Sequence, residues 1–183
     1  DMVHHNPGEA MTESKFLDPS FLKKNEYGAK VFFLFEAAQF GIDWKSFDPS
    51  LFPDTTEAGR WVAEKAEIIH KKYDAAKKED LQVYCMLDML VLPSLLVEKH
   101  RTELTNEQGK LDISKPYTQL CIRELMKEMF ETFPQLDGLV IRTGETYLHD
   151  APYYVGNHPV QNGMYDHITC LLYTSDAADD SLR

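Results

Sequence analysis

The sequence contains little cysteine, three residues among 183. Cys170 lies near the C-terminus, while Cys85 and Cys121 fall within an expected strand and an expected helix. Two such positions can build neither a disulfide framework nor a cysteine metal site. We therefore expect both side chains to be small buried apolar groups, and we expect no metal or other cofactor.

Long apolar runs, a glycine-rich phosphate loop and an excess of positive charge are also lacking. No stretch approaches the roughly 18 apolar residues that a membrane span requires, so we expect no membrane partner. The absence of a GxGxxG or Walker sequence argues against a nucleotide-binding, doubly wound sheet. The formal charge of −11 argues against nucleic acid or an anionic membrane as a partner.

Both ends of the chain resemble cut points. The first residue, Asp1, is not an initiator, and residues 170–183 resemble the translated reading frame of a transposon-type sequencing adapter. Such scars are excluded from fold reasoning. We therefore expect residues 1–169 to be a fragment of one catalytic domain, inactive by itself, and residues 170–183 to be an unstructured tail.

Apolar and amphipathic segments alternate along the chain. The first helix is predicted to begin at Asp54, where Glu57 three residues later suggests a capping box, and to bury Val62, Ala66, Ile69, Tyr73 and Ala76. The second is predicted to run from Ser114 to about Glu131 and to bury Thr118, Ile122, Leu125 and Met129. A long connection through Pro93 and Gly109 precedes it. Apolar composition predicts strands at Lys30–Ala37, Gln82–Asp88 and Leu139–Ile141.

This order of elements makes two βαβ units and predicts an α/β fold with a parallel sheet. The longest loops follow the C-terminal ends of the strands, where (β/α)₈ barrels carry their active sites. The sequence thus predicts a partial TIM barrel of about three to four parallel strand-helix units, truncated at both ends.

Acidic residues recur where the predicted strands end, at Glu36, Asp88 and Glu145. In a barrel, all three would face the same mouth. Glycoside hydrolysis needs two such carboxyl groups, one protonated and one ionised. We therefore expect Glu145 and Asp88 to be catalytic.

Other polar residues near the same strand ends are expected to bind a carbohydrate substrate. The planar guanidinium of Arg142 would suit the carboxylate of a uronic acid, although it would equally suit holding Glu145 in its ionised form. His149 would serve as an acid, a base or a partner of sugar hydroxyls. The full set of expected substrate-binding residues is Arg142, Tyr147, His149, Asp150, Glu36, His5, Asn6 and Glu9.

The chain resembles glycoside hydrolases with a TIM-barrel catalytic domain and, more loosely, the α-glucuronidase-like group. The resemblance rests on Phe133-Pro134, Asp137-Gly138, the strand Leu139–Ile141 and Glu145, together with Lys115-Pro116 and Asp88. It implies hydrolysis of O-glycosidic bonds, with exo-action on uronic acid-containing glycans as one form of it.

Two other functions remain open on the same architecture. A metal-dependent hydrolase would use His5, Asp88 and His149, although their spacing matches no zinc motif. A sugar-binding barrel without catalysis would keep the aromatic and polar loop but not the chemistry.

Overall fold

The computed structural model describes residues 2–5, 20, 31–34, 38–142 and 151–156, with only the backbone of residues 2–5, 33–34 and 142. These residues belong to two compact units. The first comprises Asp1–Asp43, Phe52–Leu87 and Glu128–Ile141, and the second comprises Trp44–Leu51, Asp88–Lys127 and Arg142–Arg183. The described part of the chain contains no helix that is long and apolar enough to cross a membrane.

A four-stranded sheet is the centre of the first unit. Its strands are β1 (Met2–His5), β2 (Val31–Leu34), β3 (Gln82–Asp88) and β5 (Gly138–Arg142), in the spatial order β1-β2-β3-β5. The pairs β1–β2 and β2–β3 are parallel. The predicted α/β class with a parallel sheet is therefore confirmed, and the predicted bounds of β3 are correct. A closed barrel is not present among the described strands.

The long helix α1 (Glu57–Lys78) begins later than its sequence suggests. The predicted start at Asp54 is wrong, because Thr56 is the N-cap and its hydroxyl accepts a hydrogen bond from the Gly59 N–H at 3.0 Å. The same hydroxyl donates to the Pro53 carbonyl at 2.7 Å. The predicted inner face is largely confirmed, since four of its members are buried and Ala66 is half-buried.

A second long helix, α4 (Pro116–Thr132), also begins two residues after its predicted start. Ser114 instead closes a turn, because its N–H and its hydroxyl both donate to Asp112 Oδ1, at 2.9 and 2.6 Å. Proline suits the first position of a helix, where no N–H is needed. The predicted inner face is confirmed, since Thr118, Ile122, Leu125 and Met129 are all fully buried.

The predicted long connection after β3 is wrong, because it contains regular structure. It holds β4 (Val91–Pro93), α2 (Ser94–Lys99) and α3 (Arg101–Leu104). Strand β4 pairs antiparallel with β6 (Tyr154–Gly156) in a separate two-stranded sheet of the second unit. The N–H of Ser94 donates to the Tyr153 carbonyl at 2.8 Å and extends this pairing.

The start of β5 is fixed against the start of β3. The Asp137 N–H donates to the Val83 carbonyl at 2.8 Å, and Asp137 Oδ2 accepts from the Val83 N–H at 2.6 Å and from Lys77 Nζ. Burial raises the pKa of Asp137, but these hydrogen bonds outweigh it and the pKa is lowered. Beside it, a Cβ at Gly138 would lie 2.4 Å from the Tyr84 ring, so only glycine fits. The motif Asp137-Gly138 thus has a structural role.

The strand β5 was expected to be buried, but its residues Leu139, Val140 and Ile141 are half-buried. The physical reason is its position, since β5 is the last strand of the described sheet. Cys85 and Cys121 are buried free thiols, as expected. Burial raises the pKa of each to about 12, so neither is a reactive thiolate at neutral pH.

Candidate functional site at the strand ends

Asp88 is the last residue of β3, and its side chain is only 2% exposed. A charged or protonated carboxyl group this deeply buried must be held by neighbouring polar groups, and Asp88 does interact with other residues. Buried acids at the carboxyl ends of parallel strands lie where α/β enzymes build their sites. Of the two acids predicted to be catalytic, Asp88 is the one that the structure describes.

Arg142 ends the neighbouring strand, β5. The hydrogen bond between the backbone groups of Asp137 and Val83 sets the pairing of the two strands. Five residues further along each strand, this pairing brings the backbone of Arg142 to the level of Asp88. The two residues therefore end adjacent strands at the same edge of the sheet, as predicted.

His5 ends β1, but it lies at another level of the sheet. The register pairs His5 with Leu34 and Leu34 with Cys85. Asp88 lies three residues beyond Cys85, about 10 Å along the strand, and two strand spacings, again about 10 Å, separate β1 from β3. Two ligands of one metal ion place their ligating atoms within about 4 Å of each other. This geometry is unfavourable for a metal shared by His5 and Asp88.

Among the residues that the structure describes, no three His, Cys, Asp or Glu side chains are grouped closely enough to hold a metal ion. Several predicted site residues lie outside the described residues. Glu36 follows β2 by two positions, and Glu145 follows β5 by three. The others in this group are Asn6, Glu9, Tyr147, His149 and Asp150.

The second unit consists of the segments that follow three strand ends. Trp44–Leu51 comes after β2, Asp88–Lys127 begins at the end of β3, and the last segment begins at Arg142. In parallel α/β folds, these are the segments that surround the substrate. Asp88 and Arg142 therefore belong to the same compact unit as the loops expected to bind the substrate.

Trp44 is an unusual residue that sequence reasoning missed. Its backbone lies in the left-handed region, with φ of 58°, which is strained for an aromatic residue. The side chain is fully buried, and its indole Nε1 has no hydrogen-bond partner within the described part of the chain. Buried unpaired donors and left-handed backbone are both more frequent at functional sites than elsewhere. The only sequence signal was the aromatic character of the loop after β2.

The loop that follows Trp44 is held by Asp48. Its Oδ1 accepts from the Ser50 N–H at 2.9 Å and the Ser50 hydroxyl at 2.6 Å, while Oδ2 pairs with Lys99 Nζ at 2.7 Å. The hydrogen bond from Lys99, with that from Ser50, lowers the pKa of Asp48 to about 2. This loop is thus tied to α2 within the second unit.

An open cavity of about 570 Å³ lies beside α3 and the start of α4 in the second unit. Its volume is in the range of small-molecule sites. Two cations, two carboxylates and an amide contribute to its lining: Arg101, Lys115, Glu107, Asp112 and Asn106.

Comparison with known proteins gave no relative: no family model, no curated protein and no solved structure matches the chain.

Proposed function

We propose that this chain belongs to an O-glycoside hydrolase with a TIM-barrel catalytic domain that acts on uronic acid-containing glycans. The observation that carries the proposal is the buried carboxyl group of Asp88 at the end of a parallel strand, with Glu145 just beyond the end of the adjacent strand. Neighbouring strands lie about 5 Å apart. Carboxyl groups carried by two such strands suit the roughly 5–10 Å separation that glycosidases use.

The order of the strands supports the barrel. Each described strand of the four-stranded sheet neighbours the one that precedes it in that sheet, without a reversal of order. A doubly wound sheet reverses its order at the switch point where its ligand binds, whereas a barrel continues in one direction. The known pairings, β1–β2–β3 in parallel, fit the barrel pattern.

The proposed chemistry divides between the two carboxyl groups. Glu145 acts as acid/base or nucleophile, and Asp88 is its partner. Arg142 holds the carboxylate of the uronic acid through its planar guanidinium. The sugar hydroxyls are bound by the remaining proposed residues, which are Tyr147, His149, Asp150, Glu36, His5, Asn6 and Glu9.

The complete protein that contains this chain should release 4-nitrophenol from at least one 4-nitrophenyl uronide. We expect the rate to stay within about twofold after dialysis against EDTA, because carboxyl groups and not a metal carry the reaction. The assay compares glucuronides and galacturonides of both anomers with the matching neutral glycosides.

Two outcomes would contradict the proposal. Activity that EDTA abolishes and zinc restores would indicate the metal-dependent hydrolase. Binding of uronides without release of 4-nitrophenol from any of them would indicate a sugar-binding barrel without catalysis.

A further inference from the structure

We propose that the cavity beside α3 binds an acidic sugar residue of the glycan, with Arg101 and Lys115 holding its carboxylate. The sugar class rests on the proposed function, whereas the charge and the polar character of the ligand follow from the lining. The cavity lies on the segment after β3, and the residues of the strand-end site are not among those that line it.

The two cations of the cavity are not neutralised by a paired carboxylate. The side chain of Arg101 makes no hydrogen bond or ion pair with the described residues, and Lys115 Nζ donates to the Thr102 carbonyl at 2.5 Å. The nearby Glu103 is fully exposed, and its pKa is lowered mainly by the Thr102 hydroxyl and only weakly by Lys115. In a chain of net charge −11, two available cations in one cavity indicate an anionic ligand.

The carboxylates of the lining indicate which anion. Glu107 and Asp112 would repel a doubly charged phosphate, but they accept hydrogen bonds from sugar hydroxyls. The Oδ1 of Asn106 already accepts from the N–H groups of Gln108 and Lys110, at 3.0 Å each, which leaves its amide N–H groups to donate. A ligand with one negative charge and several hydroxyls fits this set, as a uronic acid does.

The wall of the cavity is rigid before any ligand binds. Thr105 and Leu111 form an antiparallel bridge, and the Asn106 N–H donates to the Lys110 carbonyl at 2.8 Å. The Thr105 hydroxyl donates to the Arg101 carbonyl at 2.8 Å, which ties the loop back to α3. A preformed wall reduces the entropy that binding costs.

The test is saturation-transfer NMR on the complete protein with D-glucuronate as the probe. We expect Arg101→Ala to weaken glucuronate binding at least about tenfold, and Arg101→Lys to weaken it less, because lysine keeps the charge but not the planar fork. D-glucose should bind at least about tenfold more weakly than glucuronate, and inorganic phosphate should not displace it. Arg123→Ala, which removes an exposed cation of α4 outside the cavity, is the matched control and should leave binding unchanged.

The proposal is overturned if glucuronate does not bind, if it binds equally well to Arg101→Ala, or if phosphate displaces it. Circular dichroism of each variant establishes that the fold is kept. Glucuronate binding that depends on Arg101, in a protein that cleaves no glycoside, would remove the proposed function and leave this site standing. Hydrolysis together with binding that ignores Arg101 would remove this site alone.

Discussion

Glu145→Gln and Asp88→Asn should each lower kcat for glycoside hydrolysis by about a thousandfold. The amide replaces the carboxyl group at nearly the same size, but it can neither donate a proton to the leaving oxygen nor form a glycosyl ester. A positioned acid or base contributes about 10²–10⁴-fold to the rate, and loss of either carboxyl group removes one half of the mechanism. Steady-state kinetics on the best 4-nitrophenyl uronide measure the effect, with KM expected to change by less than about threefold.

The control separates a catalytic loss from a loss of fold. Glu98→Gln changes an exposed carboxylate on α2 and should leave kcat unchanged. Because Asp88 is buried, the thermal unfolding of Asp88→Asn should be recorded alongside its kinetics. A folded Glu145→Gln protein that hydrolyses within a few fold of wild type would remove Glu145 from the chemistry.

Phe133→Ala should reduce the free energy of unfolding by about 3–5 kcal/mol. Phe133 is fully buried in the first unit, with its ring centroid 4.8 Å from that of His70 and 5.7 Å from that of Tyr73, edge-on to the latter. Removing the ring creates a cavity among groups that cannot close it, and it also removes the aromatic contacts. Urea denaturation followed by circular dichroism measures the change.

Leu95→Ala is the matched control, since this apolar side chain on α2 is 39% exposed. It should cost less than about 1 kcal/mol. Equal losses for the two variants would mean that Phe133 does not occupy the core position described for it.

The sequence predicted the elements that have a strong periodic pattern. The apolar run of β3 gave its bounds, and the buried faces of α1 and α4 followed from their 3.6-residue spacing. Their starts were wrong by two residues, because side-chain hydrogen bonds of Thr56 and Asp112 decide where the helices begin. These are local contacts that compete with equally plausible caps nearby.

The second unit was largely missed, for a different reason. Strand β4 has three residues, and its partner β6 lies about sixty positions later, so neither has a pattern of its own. The short helices α2 and α3 are equally too brief for a periodic signal. Only tertiary contacts define such elements, and these cannot be read from spacing.

The candidate site was predictable in position but not in detail. Acids at strand ends follow from the order of the elements, which is why Asp88 was identified. The strained backbone of Trp44 was not predictable, because an aromatic residue disfavours the left-handed region that it adopts there. The cavity beside α3 depends on the turn from Thr105 to Leu111, which the sequence suggested only as a connection.

The most direct test of two carboxyl groups acting at one sheet edge is the pH dependence of kcat/KM for uronide hydrolysis by the complete protein. The proposed mechanism requires one ionised and one protonated carboxyl group in the free enzyme, so it predicts a bell-shaped profile with both limbs between about pH 3 and 8. The limb that belongs to the proton donor should disappear in the corresponding amide variant. A profile with a single limb, unchanged by both Asp88→Asn and Glu145→Gln, would contradict the proposed mechanism.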